Sequence, residues 1–240
     1  MERRHLPLVG RLGPNSVRAA VHRGASELLA ERVSPRAMAE QLGQWSDEVA
    51  GLVREAVAPP APLACGPGCT YCCHLKVTLT ATDALALSEH LRATLPPPEL
   101  ARLKKRVREA HATTAGLSAE ERAKKKLVCP LNGEGGLCVA FEVRPAACRG
   151  ANSFDRSQCE AAFERPDDDL PVHHYRPDKQ NAESFMAGTQ LALAEARLDP
   201  RPLELVAALR VALETPDAKA RYLRGEAVFE PAVDQESLGG

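Results

Sequence analysis

Aromatic residues are scarce in this chain: one Trp, three Tyr and five Phe among 240 residues, 4% in all. With 44% hydrophobic residues there is enough apolar material for a real core, but alanine and leucine must fill most of it. That favours helices over sheets. Charge of one sign is lacking too. Its 31 Lys and Arg face 32 Asp and Glu, a formal net charge of −1, so no global field points to nucleic acid or a membrane surface. No run approaches the ~18–20 apolar residues of a membrane span. Residues 1–10 start with charge, but their apolar run is too short and broken for a signal peptide, which predicts a cytoplasmic protein. There is no Gly-rich phosphate loop, no Ser-His-Asp order, no HExxH helix and no G-x-G-x-x-G after a strand. Cysteine is absent from residues 1–64 and 160–240.

All eight cysteines therefore fall between Cys65 and Cys159. Four stand within nine residues, Cys65-Gly66-Pro67-Gly68-Cys69-Thr70-Tyr71-Cys72-Cys73, and Cys129, Cys138, Cys148 and Cys159 follow at wider intervals. Thiolates gathered like this usually share a metal, because one soft cation holds several in a single shell. A reducing cytoplasm argues against disulfides, and so does the vicinal pair, since two bridges leaving one point need a special geometry. Two residues between cysteines let both sulfurs turn onto one metal. Adjacent side chains diverge, so Cys72 and Cys73 do not serve one metal in the same way. One ligates while the other faces a second metal or stays free. Arg144 and Arg149 flank Cys148 and are candidates to offset the negative charge of a sulfur-rich site. All eight cysteines are candidate ligands. They suffice for two four-thiolate zinc sites or for one iron–sulfur cubane with spares. Cys65, Cys69 and Cys72 also have the spacing of a radical S-adenosylmethionine loop, but that chemistry is built on a β/α barrel and the alternating strands are missing.

The rest of the chain reads as mainly α: an N-terminal helical segment (1–60), a cysteine-rich metal-binding centre of irregular structure (61–165) and a C-terminal helical segment (166–240). Ser34-Pro35 is a helix start, and Met38, Leu42, Trp45, Val49, Leu52 and Ala56 make one apolar face behind it. The plain reading of that face is a core contact, the sharper one a dimerisation seam. Prolines 59, 60 and 62 form a stiff linker. Residues 76–79 are the best strand candidate. Thr80 and Asp83 have the form of a capping box, and Ser118 is a further start. Helices are expected near 181–197, 201–214 and 216–224. Residues 99–126 carry nine Lys or Arg against four Glu. Such a segment is either a solvated helix face or a docking surface for an acidic protein or RNA; no aromatics interleave for base stacking, which disfavours nucleic acid.

The cysteine motifs resemble a known family. Cys65-x3-Cys69-x2-Cys72-Cys73 followed by Val77-Thr78-Leu79-Thr80 and Asp83 is similar to the opening motif of the YkgJ-type cysteine-cluster proteins. Cys129-Pro130-Leu131, Cys138-Val139-Ala140-Phe141 and Arg144-Pro145-x2-Cys148-Arg149 resemble that family's second motif, although an aromatic near Phe141 is more often tyrosine there. The resemblance covers residues 65–160 and leaves Cys159 outside the motif. It implies a chelating domain for zinc or iron and a structural, redox or metal-handling role. The same domain occurs in flagellin lysine N-methylases, which implies as an alternative a cluster-dependent protein-modifying enzyme. His74, next to Cys73, and the pair His173-His174 are weaker ligand candidates.

Overall fold

In the computed structural model, which describes residues 4–8 and 12–238, the chain is mainly helical. Residues 1–3, 9 and 10 of the stretch read for a leader lie outside the described residues. The described elements are α1 (Pro14–Ala30), α2 (Pro35–Ala56), β1 (Thr78–Leu79), α3 (Ala81–Thr94), α4 (Pro97–Thr114), α5 (Ala119–Lys124), α6 (Ala146–Gly150), α7 (Arg156–Glu164), α8 (Arg176–Glu195), β2 (Leu203–Glu204), α9 (Leu205–Glu214) and α10 (Ala218–Leu223). No helix among the described residues is long and apolar enough to cross a membrane.

Local capping chemistry sets many of the starts. The Ser34 hydroxyl accepts the Ala37 N–H, with Pro35 in the first turn of α2. Thr80 and Asp83 form the reciprocal box at α3, and Ser118 and Glu121 form another at α5. This second box divides the basic segment in two, and α4 stops at Thr114. The C-terminal expectations shift. α8 begins at Arg176 rather than 181. The stretch expected as helix from 201 first pairs as β2, antiparallel to β1, with Leu79 opposite Leu203. Only then does Glu204 cap α9 through the Val206 and Ala207 N–H groups. α10 begins at Ala218 rather than Pro216, after Asp217 in the left-handed region at φ 51°. The cysteine-rich stretch is less irregular than expected, because Asp155 accepts the Ser157 N–H and starts α7, which carries Cys159.

Two hydrophobic clusters hold these elements. The larger joins α3, α4 and α9 around Leu87, Leu91, Leu103 and Leu209. The smaller joins α1, α2 and α8 around Val21, Met38, Trp45 and Phe185. The apolar face of α2 is buried as far as Val49. Its indole packs on Gly24 of α1, where an added Cβ would stand 2.7 Å from the ring. Trp45 Nε1 donates to the Arg4 carbonyl at 2.8 Å. The face is thus a core contact, except at its C-terminal end, where Leu52, at 41% exposure, and Ala56 are exposed. α8 lies against α1 so closely that a Cβ on Gly188 would meet the Arg18 carbonyl at 2.7 Å. Much of the positive charge of 99–126 is met within the chain. Arg106 donates to the Pro130 carbonyl, Arg108 pairs with Glu214, and Lys124 pairs with Glu120 and Asp167.

Candidate functional site

The first cysteine loop turns tightly. The Cys69 N–H donates to the Gly66 carbonyl at 3.1 Å, and Gly68 sits at φ 82°, a conformation that a side chain disfavours. A second glycine loop abuts it. Gly136, at φ 77°, approaches so closely that an added Cβ would lie 3.0 Å from the Gly68 carbonyl oxygen and 3.1 Å from its Cα. The loops before Cys69 and before Cys138 are thus clasped backbone to backbone.

Tyr71–His74 then forms one turn of 3₁₀ helix. The vicinal cysteines nevertheless stay in contact, since the Cys72 thiol donates to Cys73, contrary to the divergence expected from adjacency. The Cys73 carbonyl accepts the Cys129 N–H at 2.8 Å. Asn132 bridges to Cys138, and Cys129 and Cys138 pack against the larger core. Cys148 stands on α6. Cys159 is delivered by α7, whose Phe163 ring lies 4.6 Å from the His74 ring and 5.9 Å from that of Tyr71.

All eight thiols are free. They fall into two neighbouring groups by electrostatic reach. Cys65 feels Cys69, Cys72 and Cys159. Cys73 feels Cys129, Cys138 and Cys148. Burial pushes the Cys129 thiol up to about 12, with Cys138 adding to it and the Leu131 N–H and Arg122 opposing. Burial likewise raises Cys65, Cys138 and Cys148, and neighbouring thiols raise Cys148 further. Cys72 is held protonated first by its hydrogen bond to Cys73 and then by burial, while Cys73 is lowered by accepting that bond. Cys72 stands at the seam, since Cys148 also feels it. Among the described residues, no three His, Cys, Asp or Glu side chains already converge as a metal shell. The donor set nevertheless fits a soft cation. Crowded, buried thiols gain from a positive charge that ionises them outright.

Two of the three arginines here were not placed by the sequence alone. Arg144 lies within electrostatic reach of Cys148 and Cys138, with its guanidinium 3.7 Å from the Phe141 ring centroid. Arg149 is turned to α2, where it pairs with Asp47 at 2.8 Å and donates to the Glu142 carbonyl at 2.6 Å. Arg122, counted in the basic segment, is 2% exposed. It donates to the Leu127 carbonyl at 2.7 Å and favours the ionised form of Cys129.

A cavity of about 610 Å³ opens beside the first thiol group. Cys65, Cys69, Cys72 and Cys159 line it, and Cys73, Cys129, Cys138 and Cys148 do not. The exposed surface of Cys72 is therefore cavity wall. His74 and His174 reach the same space, with Phe163 and Met186 among the apolar parts of the wall. Comparison of the chain with protein-family models, with curated proteins and with solved structures found no match. The opposite wall is α8. Lys179, Ala182, Glu183, Met186, Ala187 and Gln190 face the cavity, spaced as one helical stripe. Sequence reading missed this stripe, whose only signal is small, apolar and polar residues mixed on one face of a helix that is otherwise core.

Proposed function

We propose that this chain is a metal-binding protein whose cysteines hold zinc or iron, the iron as an iron–sulfur cluster. One observation carries the reading. Thiols from five separate stretches of backbone, none in a disulfide, are gathered around one 3₁₀ turn. Free thiols collected at this density have few other uses. The resemblance of the two cysteine motifs to the YkgJ-type chelating domain points the same way. Arg122 and Arg144 beside the second group would offset part of the charge of bound thiolates.

The test is anaerobic purification from iron-replete cells, followed by an absorption spectrum and metal analysis. Visible colour with iron and sulfide identifies a cluster, and colourless protein with stoichiometric zinc identifies zinc. If Cys69→Ser and Cys148→Ser both keep the full metal content, the reading is wrong. The apolar cavity beside the thiols favours a second reading, a cluster-dependent protein-modifying enzyme like the flagellin lysine N-methylases. Such an enzyme needs space for a small cosubstrate next to its centre, and the cavity is of that size class.

A further inference from the structure

Resting on the metal-binding reading, we infer that the chain carries two separate four-sulfur sites: an inner one from Cys73, Cys129, Cys138 and Cys148, and an outer one from Cys65, Cys69, Cys72 and Cys159 on the cavity wall. Two observations converge on this division. The cavity is lined by one set of four and by none of the other. The other set is tied to the larger core, through the packing of Cys129 and Cys138 and the hydrogen bond from the Cys129 N–H to the Cys73 carbonyl. Electrostatic neighbourhoods divide the other thiols in the same way, whereas Cys72 straddles the division, hydrogen-bonded to Cys73 and felt by Cys148. Four sulfurs each is the number that zinc and iron–sulfur centres take. Among the described residues, neither set stands converged as a metal shell, so binding requires the thiols to move.

The division gives Cys159 a role that its position outside both sequence motifs does not suggest. It is the fourth ligand of the outer site, brought there by α7 through the packing of Phe163 on the turn. The two sites also differ in access. A metal in the outer site is reached through the cavity, whereas the half-buried inner cysteines do not line that cavity and two of them pack on the core. The outer metal exchanges with solution and takes up added ligands; the inner metal holds the clasped loops.

The experiment is reconstitution of reduced full-length protein with zinc alone, and in parallel with cobalt(II) alone. Metal content, the cobalt–thiolate absorption and the rate of release to a chelator are read. Wild type should bind two equivalents and release them in a fast and a slow phase of equal amplitude. C159S and C69S should each lose the fast equivalent and keep the slow one. C148S should lose the slow equivalent; should it fail to fold, C138S and the C159S result stand in its place. One equivalent that both C159S and C138S abolish means a single shared site and overturns the division while leaving the metal-binding reading intact. C159S that keeps two equivalents also overturns it. No metal in any form rejects both.

Discussion

The backbone clasp between Gly68 and Gly136 makes a quantitative test, because its neighbour supplies the control. Gly135→Ala and Gly136→Ala both place a side chain in the left-handed region, at φ 64° and 77°. That conformation costs about 1–2 kcal/mol for an L-residue. At Gly135 nothing lies within 4 Å of the added Cβ, so the conformational cost is the whole effect. At Gly136 the Cβ meets Thr70 Cγ2 at 2.9 Å and the Gly68 backbone at 3.0 and 3.1 Å. A backbone atom cannot rotate away, so the loops must part, at an overpacking cost of about 1–3 kcal/mol more. Thermal unfolding followed by circular dichroism should rank wild type above G135A and G135A above G136A. Each kcal/mol corresponds to a shift of roughly 2–4 °C in a chain of this size. Parting the loops also displaces Cys69 and Cys138, so on the proposed metal-binding reading zinc uptake should fall in G136A and stay near wild type in G135A. Equal melting temperatures for the two variants would refute the clasp.

Two further outcomes follow from particular contacts. A Cβ on Gly43 would fall 2.3 Å from an Arg149 guanidinium nitrogen, so Gly43→Ala should act by evicting Arg149 from Asp47 and Glu142. Arg149→Ala should cost about 1–3 kcal/mol, chiefly through the carbonyl bonds, and the double variant no more. Additive losses in a denaturant cycle would contradict this. Hydrogen bonding from Arg201 holds the Asp199 carboxyl below the usual range. A depressed folded value stabilises above the unfolded value of about 3.9 and is lost as pH falls through the folded one. The stability gap between wild type and R201A should be full near neutrality and close below about pH 3.9; a gap that persists in acid would count against the pair.

Much of the helical frame was legible because its signals are local. Ser34, Thr80 and Ser118 cap helices through hydrogen bonds within three residues, and sequence spacing displays that chemistry directly. The failures are tertiary. Residues 203–204 read as helix from their apolar neighbours, yet the partner strand at 78–79 claims their backbone first. The α7 start at Asp155 was readable, but a cysteine-rich context suggested loop. Adjacency suggested that Cys72 and Cys73 diverge, yet their thiols are hydrogen-bonded, and the surroundings each one meets depend on the second glycine loop and α7. Arg149 and Arg122 show the same limit. Proximity in sequence placed the first beside a thiol and the second on a surface, whereas packing gives the first Asp47 and the Glu142 carbonyl as partners and buries the second.

The two faces of α8 serve different masters. Gly188 and Phe185 fit α1 and the smaller core so tightly that their replacement disturbs the whole bundle. Glu183, Met186 and Gln190 touch the cavity and are less deeply buried. Substitution on that second face changes the volume and polarity of the space beside the outer thiols while leaving the frame alone. The helix therefore separates the positions that shape the cavity from those that hold the frame.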